Sequence, residues 1–201
     1  MQVHHQAVNH PQDNSTQSAI IWPLRYQPGT TDNFTSNEQI ASGISAAQIW
    51  SLLNNINQWH TYYPNVSSIT PPSSGPNLQK GDTFHFSTFG FPVLESHVKE
   101  SVPPHPGQAG RLAWSAALEG SEEEAVDVYH AWLVEDLPNG RVRILTQESQ
   151  IGKPAAKIAR ERPNVMLLGH QDWVEGLIKK ARGEEVVKEE TNLAKTGLLA
   201  Y

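Results

Sequence analysis

The spacing of hydrophobic residues changes twice along the chain and separates helical from extended segments. A short strand is expected over residues 39–44, and Ser45 and Gln48 then match the capping box that begins a helix. Apolar residues follow at the helical spacing i, i+3, i+4, i+7: Ile49, Leu52, Leu53 and Ile56. A second short helical piece is predicted over residues 59–64, where it ends at a proline.

Beyond a proline-rich loop, apolar residues recur at every second position, which is the spacing typical of a strand. Strands are predicted over residues 83–88, 93–102, 111–119, 124–136 and 141–151. A helix over residues 165–182 follows, and one stripe of it carries Met166, His170, Trp173, Leu177 and Ala181. The sequence therefore predicts an α+β fold in which antiparallel strands precede one long C-terminal helix.

The 201 residues are enough for one domain with loose ends. Residues 1–37 are predicted to be a partly disordered N-terminal extension, since residues 1–19 are rich in His, Gln, Asn and Ser. Residues 38–182 form the predicted domain, and residues 183–201 a C-terminal tail.

Alternation indicates which residues face inward on the last two strands. Val126, Val128, His130, Trp132 and Val134 form the more apolar face of one strand. The loop 138–140 (Pro-Asn-Gly) suits a three-residue hairpin connection, a type I turn followed by a left-handed glycine. Counting outward from it pairs Leu137 with Arg141, Val134 with Ile144, Trp132 with Thr146, and His130 with Glu148.

An imidazole and a carboxylate are thus expected to meet on an apolar wall, at His130 and Glu148. Burial and mutual attraction should make the two titrate together near neutrality, and such a pair can move protons at a bound molecule. Two interpretations remain open: the pair is catalytic, or it is a satisfied polar pair that holds the sheet or recognises a ligand hydroxyl.

Other polar residues give weaker signals. Alternation places Glu95 and His97 on the outside of their strand, while His170 faces inward from the helix as a core or cavity residue. Gly169 and Gly176 either make room for a ligand or let the helix pack closely. His130 and Glu148 with a third ligand could hold a metal, but no His-x-His or His-Glu-x-x-His spacing supports one, so no metal is expected.

Composition excludes several classes of function. The formal net charge of −6 and the absence of a Lys/Arg cluster argue against nucleic-acid binding. No apolar run is long enough to cross a membrane, and no secretory signal is recognisable, so a cytoplasmic protein is expected. The absence of cysteine excludes disulfides and a cysteine nucleophile.

Together these motifs resemble the START-like (SRPBCC, helix-grip) superfamily and its polyketide cyclase/dehydrase-like branch. The segments that carry the resemblance are ISAAQIWSLL (44–53), Trp59, YPNV (63–66), LQKG (78–81), VKE (98–100), LAW (112–114), HAW (130–132) and QESQIG (147–152). Two features depart from the pattern: Gln150 stands where that branch often has an aromatic residue, and the first 37 residues are extra.

The resemblance implies a curved antiparallel sheet around the C-terminal helix, with a cavity for a hydrophobic ligand between them. A cystatin-like cone is the alternative fold, but its helices precede the sheet. The expected function is cofactor-free cyclisation, dehydration or isomerisation of a partly oxygenated polyketide or terpenoid intermediate, with His130 and Glu148 catalytic; the alternative is a non-catalytic carrier. The residues expected to line the cavity are Phe84, Phe86, Trp114, Trp132, Thr146, His170 and Trp173.

Overall fold

Seven antiparallel strands form one sheet in the computed structural model, which describes residues 17–197. The strands are β1 (Asn33–Ser42), β2 (Val66–Thr70), β3 (Thr83–Thr88), β4 (Leu94–Val102), β5 (Gly110–Leu118), β6 (Val126–Leu137) and β7 (Arg141–Ile151). The helices are α1 (Ala46–Leu53), α2 (Lys153–Arg160), α3 (Val165–Ala181) and α4 (Asn192–Thr196), with 3₁₀ helices at Leu24–Tyr26, Ile56–Thr61 and Lys188–Glu190. The expected α+β helix-grip fold is confirmed. Within these residues, no helix has both the length and the apolar character needed to cross a membrane.

The strand order is β1-β7-β6-β5-β4-β3-β2, and the β6–β7 hairpin has the predicted register. Leu137 pairs with Arg141, and His130 pairs with Glu148. The turn itself differs from the prediction, because Asn139 and Gly140 both have positive φ, at 66° and 64°. A type I turn would place Asn139 near −90°, so the loop length was predicted correctly and the turn type was not.

The strand β1 begins at Asn33, six positions before the predicted start, and ends at Ser42. Its inward positions are polar, with Asn33, Thr35 and Asn37 all buried, so the apolar alternation that marks a strand is absent there. The first part of this strand therefore lies within the segment expected to be an extension. The helix α1 does begin as expected, with both hydrogen bonds of the capping box formed between Ser45 and Gln48.

Within the predicted domain, the strand β2 and the helix α2 were not predicted. The edge strand β2 has five residues, of which Ser68 has a φ of 52°, and its pairing with β3 is irregular there. The helix α2 follows Gly152 and has Pro154 in its first turn, where a proline fits because its missing N–H has no helical partner.

The concave face of the sheet holds the main core, at whose centre Trp59 contacts four other aromatic rings. The helix α3 lies across this face, which excludes the cystatin-like alternative. Gly176 of α3 meets the carbonyl oxygen of Tyr62 so closely that a Cβ would overlap it, and Gly169 meets the ring of Phe89 in the same way. Both glycines therefore allow close packing, the second of the two interpretations.

Part of the convex face is also covered. Residues Trp22 and Tyr26 pack on Tyr129, whose ring lies 5.3 Å from that of Tyr26. Tyr26 also donates a hydrogen bond to Asp127, which pairs with Arg25 at 2.7 Å. The segment before β1 thus protects outward-facing positions of β6, and only residues 1–16 of the expected disordered stretch lie outside the described residues.

The segment after α3 is anchored to it rather than loose. The carboxylate of Asp172 accepts hydrogen bonds from the backbone N–H groups of Asn192 and Leu193, at 2.6 and 3.1 Å. The side chain of Leu193 is buried, so α4 packs on the domain.

Candidate functional site

His130 and Glu148 lie opposite each other on β6 and β7, on the concave face. Their side chains are 2% and 6% exposed, and His130 Nδ1 lies 3.1 Å from Glu148 Oε2. The register of the hairpin brings the pair together, because an odd loop length keeps both side chains on the same face of the sheet.

His170 of α3 completes a cluster of three. Its Nε2 lies 3.5 Å from the same oxygen, Glu148 Oε2, and its side chain is 2% exposed. The imidazole rings of His130 and His170 stand 4.5 Å apart, centre to centre. The helical spacing predicted that His170 faces inward, but only the packing of α3 on the sheet brings it to Glu148.

A ring of polar side chains surrounds this cluster. Thr146 Oγ1 lies 2.7 Å from Nε2 of His130, and Thr35 Oγ1 lies 3.1 Å from Nδ1 of His170. Each imidazole therefore has one nitrogen at Glu148 and the other at a threonine hydroxyl.

The second carboxylate oxygen of Glu148 accepts a hydrogen bond from Gln150, which in turn accepts one from Asn33 at 2.6 Å. Sequence reasoning missed the roles of Thr35 and Asn33, since β1 was predicted to begin after them.

The cluster does not titrate as expected. Burial acts to raise the pKa of the Glu148 carboxyl, but the charge and hydrogen bonds of His130 and His170 outweigh it and lower the pKa below its ordinary value. Burial, with the neighbouring His170, lowers the pKa of His130 to about 4, despite the opposing effect of Glu148. At neutral pH the pair is therefore a carboxylate beside a neutral imidazole, rather than two groups titrating together near neutrality.

A cavity of about 150 Å³ ends at this cluster. Glu148 and Gln150 form its polar end, whereas most of the remaining wall is apolar. The apolar lining residues are Phe86, Phe91, Pro92, Leu94, Trp114, Ala116, Leu118, Val126, Val128, Pro154, Ala155, Ile158 and Met166. The outer wall includes the exposed residues Phe91 and Glu124, so the cavity opens between the β3–β4 connection and α2.

Of the residues expected to line the cavity, Phe86 and Trp114 do so. Phe84 and Trp173 lie in the aromatic core around Trp59, and Trp173 also contacts Trp132, 5.2 Å away between ring centres. Thr146 and His170 take part in the hydrogen-bonded cluster behind Glu148.

Glu95 and His97 lie on the outer side of β4, as alternation predicts. Their side chains are 57% and 46% exposed, and Glu95 Oε1 lies 3.1 Å from His97 Nε2. His85 of β3 reaches the same carboxylate at 3.4 Å. This exposed group is separate from the cavity.

Comparison with known proteins adds a family but no activity. A protein of Helicobacter pylori, jhp0584, has 43% identical residues, and its crystal structure superposes with a TM-score of 0.78 over 84% of this chain and 99% of the other. The chain belongs to the family of jhp0584. That protein is described only as hypothetical. No family model and no curated protein matches the chain.

More distant structures share the fold. The di-domain ARO/CYC BexL of the BE-7585A biosynthetic pathway is 8% identical, with a TM-score of 0.54 over 75% of this chain and 46% of its own. A norcoclaurine synthase from Thalictrum flavum is 12% identical, with a TM-score of 0.54 over 75% of this chain and 94% of the other. At these identities they show the helix-grip fold alone, and membership of the START-like superfamily and of its polyketide cyclase/dehydrase-like branch stays a prediction.

Proposed function

We propose that the protein binds a small, mostly apolar molecule in the cavity, with Glu148 accepting a hydrogen bond from a donor group on that molecule. The observation that carries the proposal is the position of one buried carboxylate at the end of a mostly apolar pocket. Ligand sites commonly combine an apolar wall with a few convergent polar groups that fix the orientation of the ligand.

The size of the cavity narrows the class of ligand. Drug-sized ligands occupy pockets of roughly 300–1,000 Å³, whereas a cavity of roughly 150 Å³ holds a molecule the size of benzene. The cavity here has about 150 Å³. A single ring or short branched chain with one hydroxyl or amine is therefore the proposed occupant. A multi-ring polyketide could place only one end inside.

Two matched substitutions test binding. Ala116 is buried on the cavity wall, and its neighbour Ala117 is exposed on the other face of β5. Ala116→Leu should fill part of the cavity and weaken binding of phenol or a similar probe by tenfold or more, while Ala117→Leu leaves the affinity unchanged. Calorimetry and quenching of Trp114 fluorescence measure the affinity. Equal probe affinity in both variants, or no binding to the unaltered protein, overturns the proposal.

Acid–base catalysis on the bound molecule is the second candidate, as a cyclase, dehydratase or isomerase. It is favoured by one observation: Glu148 lies at the end of the cavity with its carboxylate held by two imidazoles, so it is positioned to accept a proton from a bound ligand. The likeness to the fold of BexL and norcoclaurine synthase is compatible with such a role and does not establish it.

Turnover distinguishes the two candidates. General acid–base catalysis contributes about 10²–10⁴-fold, so Glu148→Gln and His130→Ala should each cost a converting enzyme that much in kcat. The double variant should be little worse than either single one, because the pair acts as a unit. A carrier loses only affinity. Conversion at the unaltered rate in both variants rules out the catalytic role.

A further inference from the structure

We propose that His130, His170 and Glu148 form a binding site for a divalent transition-metal ion of the zinc or iron class. One ligand atom from each of these three buried residues lies within 4.8 Å of the others. Two imidazoles and one carboxylate are a donor set that suits zinc and non-haem iron. In the described part of the chain, this is the single group of three or more such residues with that spacing.

The distances agree with those around a small ion. A tetrahedral metal ion with metal–ligand distances of about 2.0–2.1 Å holds its ligand atoms about 3.3–3.4 Å from one another. In the structure, Glu148 Oε2 lies 3.1 Å from His130 Nδ1 and 3.5 Å from His170 Nε2. An ion could therefore bind with displacements of a few tenths of an ångström in these two separations.

The surrounding hydrogen bonds orient the ligands as metal sites require. Metal-binding histidines usually bond through their second ring nitrogen to a neighbouring acceptor, which holds the ring in place. Here Thr146 lies 2.7 Å from the outer nitrogen of His130, and Thr35 lies 3.1 Å from that of His170. Glu148 is oriented in the same way by Gln150.

The threonine hydroxyls are compatible with both the metal-free and the metal-bound cluster. A hydroxyl both donates and accepts, so it satisfies an imidazole in either tautomer. Without a metal, the ring nitrogens at Glu148 carry the protons and the hydroxyls donate to the outer nitrogens. With a metal, the inner nitrogens bind the ion and the outer N–H groups donate to the hydroxyls. Each imidazole nitrogen therefore keeps a partner in either state.

This inference goes beyond the proposed binding of a small molecule, and neither depends on the other. The metal would lie beside the polar end of the cavity, since Glu148 belongs to both. Metal binding is measured with the metal alone, in the absence of any cavity ligand, so failure of one proposal leaves the other standing.

The experiment titrates the full chain with Zn²⁺ and Co²⁺ after dialysis against a chelator. His4, His5 and His10 are replaced by alanine throughout, because histidines in that segment could bind metal adventitiously. One zinc per chain is expected by calorimetry and elemental analysis. Cobalt should give the visible bands of a tetrahedral or five-coordinate site. Imidazole ¹⁵N spectra should show both rings changing tautomer on zinc binding.

Variants separate this site from general histidine binding. Glu148→Gln and His170→Ala should abolish stoichiometric binding, and the exposed pair His85→Ala and His97→Ala should not change it. Thr35→Val keeps all three ligands and is expected to weaken zinc affinity about 10–100-fold, the usual effect of removing an orienting partner. Thr35→Val therefore still tests the site if a variant of one of the three ligands fails to fold.

The proposal is wrong if the unaltered site binds less than one zinc per chain at micromolar concentration. It is equally wrong if zinc binding survives Glu148→Gln and Thr35→Val undiminished, or if the tautomers stay unchanged when zinc is added, because each result places the ion elsewhere.

Discussion

Hydroxyl groups complete the hydrogen bonding of the buried cluster. Thr146 faces Nε2 of His130 from the neighbouring position on β7, and that nitrogen has no water to replace a lost partner, since the histidine is 2% exposed. A buried acceptor left without a donor costs about 1–3 kcal/mol. The threonine is therefore as much part of the site as the histidine.

We expect Thr146→Val to lower the free energy of unfolding of the metal-free protein by about 1–3 kcal/mol. The substitution keeps the shape of the side chain and removes the hydroxyl. Thr146→Ser restores the hydroxyl and should recover most of that loss. Chemical denaturation measures both, and equal stabilities for the valine and serine variants would show that the hydroxyl contributes nothing.

At the scale of elements, the sequence predicts those whose two faces differ in polarity. The strands β3 and β7 have the predicted limits, and the hairpin register follows from the loop length and alternation. The start of β1 could not be predicted from alternation, because Thr35 and Asn37 place polar atoms at inward positions.

The contacts of the candidate site likewise fall into those that the sequence predicts and those that it does not. The pairing of His130 with Glu148 depends on a short hairpin and could be counted along the chain. The approach of His170 and Thr35 depends on how α3 and β1 pack, over sequence separations of 22 and 113 residues from Glu148. No local pattern encodes such contacts.

Gly176 sets how closely α3 approaches the segment before β2. A methyl group there would meet the carbonyl oxygen of Tyr62, which is backbone and moves little, whereas at Gly169 it would meet the ring of Phe89. We expect Gly176→Ala to lower stability by about 1–3 kcal/mol, the usual cost of overpacking, despite the higher helix propensity of alanine. Gly169→Ala should cost less, because a ring can turn. Thermal denaturation compares the two, and the reverse order would contradict this account.

At the scale of the whole molecule, the sheet is buried on its concave face and on part of its convex face. The convex cover formed by residues 18–26 ties the start of the described chain to the middle of the sheet, because Arg143 and Arg111 donate to the backbone oxygens of Ser18 and Ala19. The region that looked least structured in the sequence therefore contributes to a second, smaller core.

Removing one side chain of this cover tests its contribution. Tyr26 is buried, whereas Leu24 on the same segment is 84% exposed. Tyr26→Ala should lower the free energy of unfolding by about 1.5–3 kcal/mol, the value of burying one large side chain. Leu24→Ala should leave it within about 0.5 kcal/mol. Urea denaturation measures both, and similar losses would mean that the segment does not pack as described.

Buried tyrosines make the protein sensitive to alkali. Burial raises the pKa of Tyr26 and of Tyr129 to about 12, and raises those of Tyr62 and Tyr63 further. Because each folded-state pKa lies above the unfolded value near 10, this stabilisation is complete below pH 10 and is lost as the pH rises toward 12. We expect stability to fall steeply over that interval, with phenolate absorbance appearing together with unfolding. Tyr26→Phe should make the fall shallower, and titration of Tyr26 or Tyr129 near pH 10 in the folded protein would contradict the expectation.

The three-residue turn between β6 and β7 limits how this protein can be engineered. His130 is eight residues from Pro138, so about 26 Å of extended strand separates the turn from the cluster. If one residue is inserted at the tip and the loop keeps three residues, one strand slips by one position, and carboxylate and imidazole then face opposite sides of the sheet. If the loop instead lengthens, the pairing of His130 with Glu148 is kept. A tag, label or graft placed there must therefore be taken up entirely within the loop.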